Sequence, residues 1–453
     1  MRMSTADSIA VSADGQSRKS PRIARPLLLA HCIALPLFGR ALFPLVRDKT
    51  NITFASSFTD PQMAATYLVA LVVVFGLLAA GNPFEPVERS RVARAFLLFV
   101  SATLVSSLGS HFLLFSIWRT FEVLLLGLWA LLMLKDAAGV ADPPQAIRAF
   151  YTVSLAILIG VFVGLVINPS GAWYMEGDVA RLTGTTGYWI NPNDIGVIAA
   201  VLTLGCYVRA VERGSFRYSV AAVLFLIVCY LPHSRGSYIA LATGFVAATI
   251  MLGRIAERRA TVAVMGLCVP VAILVIALAS HDVRDFFAFL MTRGHETENL
   301  DSFGGRLPLW EFGLKAFKQH PFFGTGYGVH PEGLQDSHFH NLLIELAVTT
   351  GMMGALSYIA FLVSMLGTVR KAIGRSIPGL VAERIIVTDL VTIPTVILVA
   401  GGASASATYY CWDLLGLVSV AVTASLFVTG RRNVGPACAM EIPVVARFSN
   451  LMT

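Results

Sequence analysis

Runs of about twenty apolar residues, seldom broken by a charge, recur along this chain and limit its fold more than any other feature. A hydrocarbon core of ~30 Å needs about 20 helical residues to cross it. The runs are continuous and rich in Leu, Val and Ala, such as VSLAILIGVFVGLVI at 153–167. They lack the short alternating segments that membrane strands require. Composition agrees: the chain is 56% hydrophobic and 13% charged, with a mean hydropathy of +0.72. The expectation is an all-α polytopic membrane protein with no separate soluble domain.

The pattern predicts twelve spans, at 26–45, 62–80, 95–109, 112–134, 149–168, 193–209, 218–233, 237–253, 261–280, 340–368, 386–404 and 409–429. The third and fourth are separated only by SSLGSH. Residues 1–25 form a basic N-terminal segment, 281–339 the largest loop and 430–453 a C-terminal tail. The first span follows Arg18, Lys19, Arg22 and Arg25 without an evident small-residue cleavage site, and is expected to be a retained anchor rather than a removed signal peptide.

Lys and Arg accumulate on the cytoplasmic side of a membrane. On the twelve-span map, one side with both termini holds 23 of the 34 Lys and Arg, the opposite loops hold 9, and Arg40 and Arg119 lie within spans. Both termini are therefore expected to be cytoplasmic. The net charge of +7 is accounted for by this anchoring and does not point to nucleic acid. Eight of the nine histidines, all but His31, fall on the outer side. The six cysteines lie mostly within spans with no CxxC pair, as packing residues do.

The polar residues cluster at the outer boundary. Ser234-Arg235-Gly236 joins two spans there. Its arginine either snorkels to the headgroups or offers a planar fork to phosphate. Arg119 and Glu122 sit inside the fourth span, where ionisable groups cost ~2.5–3.5 kcal/mol each. They are expected to face the bundle interior, as a structural pair or as part of the cavity that Arg235 lines. Pro308 and the i, i+4, i+7 spacing of Trp310, Leu314 and Phe317 predict a short amphipathic helix in the large loop, just after Arg306. Arg306 is either a phosphate or sugar ligand or an ordinary exposed arginine. GTGYG at 324–328 reads as turn glycines, because no βαβ unit surrounds it.

The densest concentration is DSHFHNLLIEL at 336–346. His338 and His340, two apart, share a face of an extended segment. With Asp336 and His330 they form a possible N/O metal site; alternatively one histidine is a general base oriented by a carboxylate. Asn341 and Glu345, i and i+4 on the following helix, are placed to support either. The bland alternative is a set of interfacial residues capping a long helix.

NPNDIG after a glycine-rich lead-in (184–196), SRG (234–236), RLPLW (306–310), HPFFGTGYG (320–328) and HFHNLLIELAVTTGMMG (338–354) occur in an order that resembles the O-antigen ligase and polymerase superfamily. The resemblance spans roughly residues 180–360. It implies glycosyl transfer at the periplasmic face of a bacterial inner membrane, without metal or cofactor. The implied donor is a glycan on undecaprenyl pyrophosphate, and the acceptor a glycolipid in the same bilayer, with other polysaccharide assembly proteins as further partners. His340 matches the H-N motif and is the first candidate for the base, His338 the second. Arg235, Arg306 and Arg119 are the candidates for neutralising the pyrophosphate. Ser234, Asn193, Asn341 and Glu345 fall in supporting positions, and Trp173, Tyr174, Tyr188 and Trp189 are candidates for stacking on sugars. A nucleotide-sugar enzyme is disfavoured because no D-x-D pair is well placed for a nucleotide–metal complex.

A polymerase, a ligase that transfers to lipid A-core and a protein glycosyltransferase differ in the acceptor. No appended protein-binding domain is evident, and two outer loops suit a polymerase gripping two similar glycans. The polymerase is the preferred expectation, the ligase its alternative. A transporter, the alternative of another class, would put ionisable groups nearer the midplane, often in two related halves.

Overall fold

The computed structural model describes residues 71, 73–75, 87–88, 90–136, 145–176, 179–183, 191–255, 306–331, 339–376, 380–402 and 412–433. The helices are α1 (Arg91–Leu108), α2 (Leu113–Asp136), α3 (Gln145–Ile167), α4 (Pro192–Arg213), α5 (Phe216–Tyr230), α6 (Arg235–Ile255), α7 (Arg306–Gln319), α8 (Leu342–Ile373), α9 (Val381–Gly401) and α10 (Trp412–Asn433). Among the described residues eight helices are long and apolar enough to cross a membrane, and α5 is apolar but shorter. They coincide with nine of the expected spans, displaced by a few residues at their ends. The expected spans 26–45 and 261–280 lie outside the described residues, as does most of 62–80.

One local departure from an all-α chain is found among the described residues. Trp173–Glu176 (β1) and Val179–Leu182 (β2) form an antiparallel hairpin with Glu176 opposite Val179. It occupies part of the stretch read above as loop.

Local chemistry explains the helix starts. Ser90 caps α1 by accepting from the Ala93 N–H at 3.3 Å. In NPND, the Asn191 side chain accepts from the Asn193 N–H at 2.9 Å, Pro192 takes the first position and Asp194 sits in the first turn. Each satisfies or complements the unpaired donors of a helix N-terminus. At the other end of α4, Gly214 closes the helix with a φ of 63°. The centre of the bundle is α10, 83% of whose apolar window is buried, against 33% for α3. Trp412 anchors it through an Nε1–H bond to Ser154 Oγ at 2.7 Å.

The SSLGSH boundary is a tight turn stitched down by hydroxyls. Ser116 Oγ lies 2.7 Å from Ser107 Oγ and 3.0 Å from the Tyr327 carbonyl, which its single hydroxyl proton serves between them, while Ser107 also meets Thr120 Oγ1 at 3.0 Å. Ser106 Oγ donates to the Thr349 carbonyl at 2.9 Å. These bonds tie α1 to the first third of α8, and α2 to the glycine-rich segment packed against it.

There α8 is broken. Gly351 has φ 64° and ψ −167°, so the carbonyls before it and the amides after it lose their helical partners. The segment 321–326 supplies replacements. The Thr325 and Gly326 amides donate to the Val348 and Thr349 carbonyls at 3.0 Å each. The Met352 amide donates to the Pro321 carbonyl at 2.8 Å, and Met353 to Phe322 at 3.3 Å. In a lipid environment such groups must be satisfied within the protein, which gives GTGYG a structural purpose. Gly324, Gly326 and Gly328 all have positive φ. A Cβ on Gly324 would lie 2.5 Å from the Thr349 backbone, and one on Gly351 2.3 Å from the Phe322 backbone.

Gly351→Ala should therefore lower the thermal unfolding midpoint in detergent, since a backbone conformation essentially reserved for glycine costs about 1–3 kcal/mol and the contact with backbone adds to it. Gly367→Ala, in the same helix with nothing within 4 Å of its Cβ, should leave the midpoint unchanged or raise it.

Candidate active site

Two polar groups are assembled from the loops and helix ends at 172–176, 179–183, 191–196, 230–237, 306–331 and 339–345. The first surrounds the start of α6. Ser234 is buried, and its Oγ accepts from Ser237 Oγ at 2.8 Å. Ser237 Oγ also lies 3.2 Å from the Asn193 carbonyl, which shares its one hydroxyl proton with Ser234, bringing the starts of α4 and α6 together. The approach needs Gly196, where a Cβ would lie 2.4 Å from Ser237 Oγ. Arg235 follows at the first position of α6, half-buried.

Arg181 completes this group, and the sequence reading did not single it out. It is 5% exposed, and its guanidinium donates to the Pro232 carbonyl through Nε and to Asn193 Oδ1 through Nη2, both at 2.8 Å. The Leu182 amide adds a bond to the Leu231 carbonyl at 3.3 Å. The hairpin is thereby fastened across both helix starts. A signal was present: Gly177-Asp178 between WYME and VARL has the spacing of a two-residue hairpin connection, which removes Arg181 from the class of plain loop arginines.

The second group surrounds His340. This half-buried residue immediately precedes Asn341, the N-cap of α8, whose side chain accepts from the Leu343 and Ile344 amides at 3.0 and 3.2 Å. The backbone of His340 is left-handed, with φ 51°; His233, with φ 48°, is the other non-glycine residue of this kind among the described residues. Such conformations cost about 1–3 kcal/mol and collect at functional sites. The His340 imidazole titrates below its ordinary range, chiefly through burial and then through the positive charge of Arg306, with Glu345 opposing. At neutral pH its ring is consequently uncharged and able to accept a proton.

A helix, α7, runs where a short amphipathic one was expected, with Arg306 at its first position; of the expected apolar stripe, Leu314 is exposed. Gly313 and Ala316 on its inner face pack against Phe339, Ile344 and Val348. Trp310 Nε1–H donates to the Phe339 carbonyl at 2.8 Å. Glu345, fully buried, points back out of α8: one oxygen meets His330 Nε2 at 2.5 Å and the other accepts from the Phe339 amide at 3.1 Å.

Arg306, His340, Asn341, Glu345 and His330 thus form one neighbourhood, and Arg235, Ser234 and Asn193 another. Arg119 is engaged with Glu122 at 2.9 Å and lies over the Phe115 ring, the structural pairing that the sequence allowed. Trp173 is half-buried against the core. His338, Asp336, Tyr188 and Trp189 lie outside the described residues, and nothing is described of the Tyr174 side chain. Among the described residues no three His, Cys, Asp or Glu side chains converge as a metal site, and His330 pairs with Glu345.

Residues 220–359 match the family model described as O-Antigen ligase. The match supports the O-antigen ligase and polymerase superfamily, the class to which the ordered motifs pointed, and the apolar helices make the chain an integral membrane protein. The matched stretch runs from α5 past the break in α8, so it contains Arg235, Arg306, His330, His340 and Glu345 but neither Arg181 nor Asn193. No curated protein matches the chain.

The Arg181 bonds yield a direct test. Hydrogen bonds to charged groups contribute about 1.5–3 kcal/mol each, so Arg181→Ala should free the hairpin and accelerate protease cleavage within 172–183. Arg181→Lys should recover only part of the protection, because an ammonium cannot reproduce the fork.

Proposed function

We propose that this protein is a membrane glycosyltransferase that moves a glycan from undecaprenyl pyrophosphate onto an acceptor sugar hydroxyl at the periplasmic face of the inner membrane. The observation that carries the reading is His340: within the family match, a half-buried imidazole is held neutral beside Arg306 and directly before the Asn341 cap. His340 removes the proton of the acceptor hydroxyl as that oxygen attacks the anomeric carbon. The bond from that carbon to the pyrophosphate oxygen breaks, and its electron pair leaves with the lipid pyrophosphate. Arg235 and Arg306 balance the charge developing there, where preorganised donors are most effective. A single displacement inverts the anomeric carbon.

The acceptor in this reading is a second lipid-linked repeat, which makes the protein a polysaccharide polymerase. Two elements outside the spans, the β1–β2 hairpin and α7, flank the two polar groups and are suited to holding two similar glycans. Ligation to lipid A-core uses the same chemistry with another acceptor.

Purified protein given only a lipid-linked repeat should produce longer lipid-linked glycans. His340→Ala should reduce that rate by about 10²–10⁴-fold, the usual contribution of a general base, and Arg235→Ala should weaken donor use. A ligase would stay silent until lipid A-core is added, and a transporter would stay silent in both conditions. Full turnover by His340→Ala and Arg235→Ala alike would refute the assignment.

A further inference from the structure

Phe339, immediately before His340, is held through both of its backbone polar groups. Its N–H goes to Glu345 Oε2 at 3.1 Å and its carbonyl receives the Trp310 indole N–H at 2.8 Å. Its ring is fully buried against Gly313, where a Cβ would approach it to 2.8 Å. On the far side of His340, Asn341 is fixed as the N-cap of α8. His340 is suspended between two immobilised residues in a backbone conformation that it would not adopt unaided.

The other oxygen of Glu345 meets His330. This carboxylate therefore bridges three chain segments: the stretch after the glycine turns, the residue before His340 and α8 itself. A buried ionisable pair is a poor device for stability alone, because apolar residues of similar volume commonly do as well. Glu345 does what an apolar residue cannot: it meets His330 Nε2 with one oxygen and accepts the Phe339 amide with the other, while placing negative charge near His340. The His330 side chain is 4% exposed, too enclosed to meet an acceptor hydroxyl.

We propose that Glu345, His330 and Trp310 form a positioning clamp that acts through the Phe339 peptide to aim the His340 imidazole, without touching substrate themselves. The proposal rests on the reading of His340 as the base. The charges that bear on the His340 ring are those of Arg306, from α7, and Glu345, from α8. Glu345 raises the affinity of that ring for a proton and Arg306 lowers it. Glu345→Gln keeps the shape and an acceptor for the Phe339 amide but removes the negative charge.

The test uses the full chain in detergent and reads His340 directly. Diethyl pyrocarbonate reacts with neutral imidazole, and peptide mass spectrometry reports modification of His340 as a function of pH. In Glu345→Gln the midpoint should move to lower pH, because Arg306 is then unopposed. Turnover of the lipid-linked repeat should fall by about 10- to 100-fold, the loss expected of a misaimed group, with the donor KM little changed. Trp310→Phe deletes one N–H and keeps the ring packed, so it should give the same fall in kcat with the modification midpoint unmoved. It also decides the matter if Glu345→Gln does not fold. An unmoved midpoint in Glu345→Gln, or full kcat in Trp310→Phe, overturns the clamp. A shifted midpoint in a protein that turns over no lipid-linked glycan would leave the clamp standing and remove the glycosyl-transfer reading.

Discussion

The break in α8 at Gly351 is the constraint on which the rest of the site depends. A continuous helix from Leu342 to Ile373 would satisfy its own backbone and leave no place for the segment 321–326. With Gly351 turned out of the helical region, four backbone groups need partners, and that segment supplies them at 2.8–3.3 Å. The consequence runs in both directions. The inserted segment leads on to His330, within reach of Glu345, and the first turns of α8 set the direction of Asn341 and His340. Ser106 and Ser116 fasten the same junction to α1 and α2. His340, the base in the proposed reaction, gains its rigidity from this junction.

A second polar network ties the spans together away from the candidate site. Arg209 of α4 pairs with Asp389 of α9 at 2.8 Å, and Tyr151 of α3 donates to the same carboxylate at 2.9 Å. Arg384 meets Glu212 at 2.6 Å. Each acid is almost completely enclosed, so each cation compensates a buried charge. Removing one partner of such a pair characteristically costs about 3–5 kcal/mol. Arg209 and Arg384 belong to the basic residues of the expected cytoplasmic side, and both lie within helices and hold helices to one another.

Much of this was legible in the sequence, because its signals were local. Apolar runs gave nine of the spans now seen as helices, and the spacing of Trp310, Leu314 and Phe317 gave α7. NPND and HN were visible as motifs, and their capping geometry follows from residue type. What escaped was set by pairing across long separations. Arg181 resembles a loop arginine until Asn193 and Pro232 are seen beside it. Glu345 was expected to support the histidine cluster, but periodicity could not show that its carboxylate spans His330 and the Phe339 amide. The glycines of GTGYG read as turns, and they are, but the reason for them lies in a helix break more than twenty residues away. A twelve-span map assigns residues to a side of the membrane, whereas hydrogen-bond partners depend on tertiary contacts that periodicity does not carry.

In the proposed reaction His340 performs the chemistry and Arg235 holds the donor, and one measurement separates the two roles. In a single turnover with lipid-linked glycan, donor binding and release of lipid pyrophosphate are followed together. One lipid pyrophosphate should be released for each new glycosidic bond by the unaltered protein. His340→Ala should bind donor as tightly as the unaltered protein and release almost none, whereas Arg235→Ala should lose binding. Release at the unaltered rate by His340→Ala, or undiminished donor binding by Arg235→Ala, would contradict those roles.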